Sequence, residues 1–223
     1  HADPGAEGEA ADPTIGRVGV ICLQPIQRRG GIAELALAAI EHRLRSGSRL
    51  KIVPGRYSTE LQFPRATFVT LRRDGELRGC RGSLRPVESL IVNVARNAHA
   101  SAFYDERFEP IAPGELEALH IHISILAPAE TIPFESEQDL LDRIRPGVDG
   151  LILRAEEHQG VFLPSVWERL ADVEVFWIHL KRKAGLPDDF WSPSLRVERF
   201  VTESIEGHVA NVRRDADPGS LPD

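Results

Sequence analysis

The stretch "ATFVTLRRDGELRGCRGSL", residues 66–84, decides how this chain is read. Its first arm is β-branched and aromatic, and "RDGE" at 73–76 is a tight-turn signal, so the stretch predicts a β-hairpin. The second arm places Cys80 between Gly79 and Gly82, with Arg78 and Arg81 beside them. Glycine weakens a strand interior and often marks a place where a ligand or a second backbone comes close. Read as a strand, this arm puts Arg78, Cys80, Gly82 and Leu84 on one face, and neighbouring guanidinium groups favour a thiolate. Against this stands a packing reading, in which Cys80 is a small buried hydrophobe, as free cysteine usually is.

Upstream of the hairpin, Ile32, Leu35, Ala36, Ala39, Ile40 and Leu44 recur at helical spacing, with Gly47 as the stop. Residues 48–65 contain Pro54, Gly55 and Pro64 and read as a long loop. Downstream, Pro86 is expected to open a helix with Val87, Ile91, Val94, Ala95, Ala98 and Ala102 on one face. "FYDERFEPIAPGEL", residues 103–116, is a loop ending in a short helical turn. Leu119, Ile121, Ile123 and Ile125 then alternate with His120, His122 and Ser124, the period of a half-buried strand. Ser136 with Asp139 opens a short helix, and "GLILRAEEHQGVFLP" at 150–164 is a second hairpin. Asp172 caps a helix bearing Val173, Phe176, Trp177, Leu180 and Ala184, and residues 195–202 alternate as a last strand.

Strands joined by tight turns, with helices between them, predict an α+β fold with a mostly antiparallel sheet and flanking helices. One domain is expected over residues 31–203. Residues 1–30 are expected to be a disordered or appended segment, with 18–26 as a possible short strand. Residues 204–223 are expected to be a mobile polar tail.

Composition narrows the function classes. The chain has 223 residues, 42% of them hydrophobic and 27% charged, and no apolar run long enough to span a membrane. No secretory signal is read at the N-terminus. Two cysteines, Cys22 and Cys80, are too few for a disulfide scaffold, and a cytoplasmic location is expected. The formal net charge of −7 argues against sequence-independent nucleic-acid binding. The charge is uneven, however. Arg65, Arg72, Arg73, Arg78, Arg81 and Arg85 stand against only Asp74 and Glu76, a local +4.

Other groups carry candidate chemistry. Asp105 and Arg107 can orient a substrate or the thiol, or can pin their loop as a salt bridge. His99 is a candidate base for Cys80 if its helix packs over the hairpin. His120 and His122 share a strand face, but no third ligand stands at a recognisable spacing, so the solvated-face reading is preferred and no metal site is assigned. No cofactor-binding fingerprint is present. Lys181, Arg182 and Lys183 fit a helix C-terminus, and Trp167, Trp177 and Trp191 fit a core.

"FPRATFVTLRRDGELRGCRGSLRP", residues 63–86, resembles the signature of the AMMECR domain family. That motif reads leucine, arginine, glycine, cysteine, isoleucine, glycine. This chain matches it at Leu77, Arg78, Gly79, Cys80 and Gly82 and departs at Arg81, which puts an extra charge beside the thiol. "AFYDERF" is similar to the family's Phe-x-Asp-Pro-Arg-Phe, with Glu106 in place of proline. "LHIHISILAPAE", "GVDGLIL", "FLPSVWERL" and "HLKRKAGLPDDFWSPSLRVERF" continue the likeness over about 32–203.

The likeness is strongest to the bacterial and archaeal branch known as AmmeMemoRadiSam system protein A. It implies a larger and a smaller lobe with a cleft between them, the glycine–cysteine motif near that cleft, and a Memo-type protein and a radical-SAM protein as partners. It implies no particular reaction. Two functional classes follow. In the first the chain is an enzyme or enzyme component using Cys80 on an anionic small molecule, with Arg78, Gly79, Gly82, Asp105 and Arg107 around the substrate. In the second it is a non-catalytic binding or scaffold module for those partners.

Overall fold

A computed structural model of the chain describes residues 29–215. In chain order the helices and strands are α1 (Arg29–Ser46), α2 (Thr59–Gln62), β1 (Thr67–Arg73), β2 (Glu76–Gly82), α3 (Leu90–Phe103), β3 (Leu119–Leu126), β4 (Glu130–Thr131), α4 (Glu137–Arg143), β5 (Gly150–Ala155), β6 (His158–Phe162), α5 (Val173–Lys183), β7 (Arg196–Phe200), β8 (Thr202–His208) and α6 (Val209–Asp215). The expectations for residues 1–28, and the last residues of the tail, lie outside the described residues.

The expected hairpin is β1–β2. Asp74 (φ 53°) and Gly75 (φ 82°) both adopt the left-handed conformation of a two-residue turn whose twist matches the flanking strands. β1 also pairs antiparallel with β3, and β3 with β8, giving a four-stranded sheet in the order β2-β1-β3-β8. Val69, Leu71, Leu119, Ile121, Ile123, Ile125 and Ile205 alternate onto one face, where they pack with Ile32, Leu35, Ile40, Ile91 and Val94 of α1 and α3. Polar contacts fix α3 on that face. Buried Thr67 donates to Asn93 Oδ1 (2.6 Å), and Asn97 Nδ2 donates to the Thr67 carbonyl (3.0 Å).

The second sheet is also antiparallel, in the order β4-β7-β5-β6. Its core joins Leu151, Leu153 and Val197 to Phe176, Trp177 and Leu180 of α5 and Leu140 of α4. Asp172 accepts the Val175 N–H (2.9 Å), and Ser136 accepts that of Asp139 (3.2 Å), so both expected N-caps form. Together these elements make the α+β fold with two lobes. The chain leaves the first sheet after Leu126 and returns to it at Thr202, so the smaller lobe is inserted in the larger one. Ala66, Leu126, Ile152 and Phe200 are buried between the sheets, with Phe68, Leu84, Val161 and Leu163 packed against them.

Four local expectations are corrected. Helix α3 starts at Leu90, not at Pro86: Ser89 bridges Pro64, Leu90 N–H donates to the Phe63 carbonyl (2.9 Å), and this pairing holds residues 88–89 extended. Val87 is consequently exposed. The 48–65 loop contains a short 3-10 helix, Pro54–Arg56, and α2. Residues from 204 do not begin a mobile tail, because β8 completes the first sheet and α6 buries Val209 and Val212 against the core. Trp191 is partly exposed against Phe134, whereas Trp167 and Trp177 are core residues. Among the described residues no helix is long and apolar enough to cross a membrane.

Candidate functional site

β2 is held from both sides. Behind it, Gly79 lies so close to α3 that a Cβ there would stand 2.1 Å from the Ser101 carbonyl oxygen. The Ser101 hydroxyl donates to the Val69 carbonyl (2.7 Å) and accepts the Arg81 N–H (2.8 Å), tying α3 to both hairpin strands. In front, a Cβ on Gly82 would meet the Phe68 ring at 2.2 Å. The glycines therefore serve close approach of protein, from a backbone on one side and an aromatic ring on the other.

Between them Cys80 is half-buried. Its N–H donates to Asp105 Oδ2 (2.8 Å), and the Thr70 hydroxyl donates to its sulphur (3.3 Å). Asp105 is buried and accepts twice from the Arg107 side chain, Nε to Oδ1 at 2.9 Å and Nη2 to Oδ2 at 2.6 Å. The Arg107 hydrogen bonds hold the Asp105 carboxyl well below the usual range; burial opposes this, and the Cys80 N–H reinforces it. The two readings of Asp105 and Arg107 thus merge: the salt bridge pins the loop, and the pinned loop holds the backbone of Cys80.

The two arginines of the motif point elsewhere. A bulge opposite Leu71 and Arg72 leaves Arg78 without a register partner, and its guanidinium donates to both Glu115 carboxylate oxygens (2.9 and 3.0 Å) and to the Glu109 carbonyl (2.8 Å). It braces the loop that carries Asp105 and Arg107. Arg81 turns to the α3 side, where it donates to the Tyr104 carbonyl, so the extra charge is not beside the thiol. The Arg78 hydrogen bonds depress Glu115 to about 2, against an opposing burial effect.

A depressed carboxyl contributes stability above its unfolded value of 4.5 that is lost as pH falls toward 2. Glu115→Gln is therefore expected to be less stable than wild type by about 1 kcal/mol at neutral pH, once solvent screening is allowed for. That gap should close between pH 4.5 and 2. Urea titrations across this window check it, and a constant gap would remove the pair from the acid response.

His99 is not a base for Cys80. It is buried, meets the rings of Phe103 and Tyr104 at tilted angles, and has its pKa lowered by burial and then by Arg49 and Arg43, which lie toward α1. Neither ring nitrogen has a hydrogen-bond partner among the described residues. The strand histidines lie half-exposed on the polar face of the first sheet, and His122 borders the gap between the lobes. In register across this face, Cys80 is opposite Thr70, Thr70 opposite His122, and His122 opposite Glu206. His122 Nε2 is 3.1 Å from the Ser204 hydroxyl, and His120 Nε2 is 3.8 Å from Glu206. A cavity of about 630 Å³ lies over this end of the row, walled by His122, Ser204 and Glu206 on one side and Pro164, Trp167 and Glu168 on the other. Cys80 is outside that cavity, at the opposite end of the row.

One residue that sequence reasoning missed comes from the other lobe. Lys183, at the end of α5, places its ammonium 4.9 Å from the centroid of the Phe162 ring. It keeps solvent access but is crowded by protein. This crowding pushes its pKa down, while the Cys80 sulphur pulls it up and Arg107 pushes it further down. A run of three basic residues at a helix end carried no signal that would single it out.

These features define a two-lobed α+β protein with a thiol, hydrogen-bonded at both its backbone and its sulphur, on the sheet face that meets the second lobe. The chain belongs to the AMMECR1 family, whose model matches residues 33–205. It is 38% identical over 183 residues to a protein of Methanothermobacter thermautotrophicus, covering 80% of this chain and 95% of that one. It is 34% identical over 172 residues to a protein of Thermotoga maritima, covering 75% and 92%. The crystal structure of an uncharacterized protein from Pyrococcus horikoshii is similar to it with a TM-score of 0.74 and 33% identity, covering 79% of this chain and 90% of that one.

Proposed function

We propose that the chain is an enzyme or enzyme component in which Cys80 is a thiol nucleophile toward a small molecule bearing an anionic group. The observation that carries this reading is the treatment of Cys80. Asp105 fixes its backbone, Thr70 fixes its sulphur, and the side chain stays half-accessible at the lobe junction. The Asp105 bond fixes the backbone that carries the thiol, and the Thr70 bond acts on the sulphur itself. A hydroxyl donating to sulphur suits a thiolate better than a thiol, because the anion is the stronger acceptor. Family membership adds the expectation that a Memo-type and a radical-SAM protein are its partners, in the cytoplasm.

The test is alkylation of the full chain by iodoacetamide in a Cys22→Ser background, which leaves Cys80 as the remaining thiol of the two. Native protein is expected to react at least as fast as the same chain in urea. A Cys80 that is inert until the protein unfolds would overturn the nucleophile and leave the second reading, a binding module in which residue 80 only packs.

A further inference from the structure

The basic residues at the end of α5 differ in one respect. Lys181 donates to Glu137 (2.8 Å) and Arg182 to Asp188 (2.7 and 2.6 Å), so both charges are matched by acids. Lys183 has no acidic partner among the described residues; its ammonium rests on the face of Phe162. An ammonium on an aromatic face is held in place without being neutralised. Phe162 packs against Phe176 on the α5 side of its sheet, while its neighbours Val161 and Leu163 pack with Phe68 and Leu84 of the other lobe, so the strand that carries the platform reaches the lobe junction. Gly160 lets α5 approach β6 closely enough to reach it: a Cβ there would stand 2.8 Å from the Leu180 carbonyl oxygen.

Across the junction, Arg107 uses Nε and Nη2 on Asp105, and Nη1 makes no hydrogen bond among the described residues. Arg107 is tied to Cys80 through Asp105, whose Oδ2 accepts from both the Cys80 N–H and Arg107 Nη2, and Lys183 comes within electrostatic range of Arg107 and of the Cys80 sulphur from the other lobe. Two cations, one from each lobe, are thus held beside one thiol. Arg78 lacks this freedom because Glu115 and Glu109 occupy it.

We infer that Lys183 and Arg107 form an anion subsite that spans the two lobes and seats a carboxylate or phosphate group of the substrate next to Cys80. The inference rests on the thiol reading above and adds what that thiol selects. Arg107 contributes a fork already oriented by Asp105, and Lys183 contributes a point charge from the opposite wall. Seating the anion links the smaller lobe to the larger one, and the protein between the walls focuses their field.

The experiment compares iodoacetate, which is anionic, with neutral iodoacetamide on Cys80 in the Cys22→Ser full chain. The ratio of the two rates isolates attraction for the reagent's charge from the reactivity of the sulphur. Lys183→Met is expected to lower the iodoacetate-to-iodoacetamide ratio about fivefold, and Lys183→Arg to restore most of it. The preference should also shrink in molar salt. Equal slowing with both reagents would make Lys183 a counter-ion of the thiolate only and overturn the subsite, as would no change with either. Inorganic phosphate gives a readout independent of the thiol. It is expected to raise the melting temperature of wild type more than that of Lys183→Met, and equal shifts would overturn the subsite even if Cys80 proved inert. Inertness of Cys80 alone would instead overturn the nucleophile.

Discussion

Gly79→Ala is expected to destabilise the protein by about 3 kcal/mol, at the upper end of what overpacking a well-packed site costs. The added methyl group would stand 2.1 Å from the Ser101 carbonyl oxygen. That oxygen belongs to helix backbone and cannot rotate away, unlike a side-chain tip. Relief therefore requires β2 to separate from α3. Separation breaks the Ser101 hydroxyl bonds to Val69 and Arg81, which hold the two strands of the hairpin to the helix. The effect should appear as a lower urea midpoint with little change in slope. It should be accompanied by altered alkylation of Cys80, the residue that follows. An unchanged midpoint would show that the hairpin can move off α3 at little cost, and the packing account of this glycine would be wrong.

Asp105→Ala is expected to cost about 2–3 kcal/mol, the range for leaving buried hydrogen-bonding groups unmatched. The carboxylate is buried and accepts from the Cys80 N–H and from the Arg107 side chain. Removing it frees the 104–115 loop at one of its anchors; the Arg78–Glu115 pair and the Arg78 bond to the Glu109 carbonyl remain. Asp105→Asn keeps an acceptor for the Cys80 N–H but loses the ion pair, so about half the loss is expected to return. Both stability and the charge preference of Cys80 alkylation should fall in the alanine variant, because Arg107 is then no longer aimed. A variant as stable as wild type would make the loop self-supporting and remove Asp105 from the positioning of the thiol.

Much of this was legible in local sequence because the signals are local. The Asp-Gly turn, the strict alternation of 119–125 and the caps at Ser136 and Asp172 each depend on residues within a few positions of one another, and each element formed. Helix α3 starts later than its local sequence predicts because the pairing that delays it comes from residues 63–65, some 25 positions upstream in the chain but adjacent in space. β8 resembles a polar tail in sequence because one of its faces lines a polar gap. With Thr202, Ser204 and Glu206 directed there, only Ile205 is left as an apolar signal for a strand.

The site divides in the same way. The stretch 76–82 pointed to Cys80 by composition, and "FYDERF" pointed to Asp105 and Arg107 by resemblance. Which charges face the thiol was not contained in either. Alternation along a strand assigns Arg78 to the face of Cys80, but a bulge changes that assignment, and Glu115, 37 residues away, captures the guanidinium. Lys183 is 103 residues from Cys80 and belongs to a lobe inserted between Leu126 and Thr202, so only the packing of one lobe on the other brings it to the thiol. By itself the sequence determined the elements and the identity of the thiol, because propensity, turn chemistry and alternation act between near neighbours. The tertiary structure decided which cations surround that thiol, because electrostatic neighbours are set by the docking of sheets and helices and by competition among acids for each arginine.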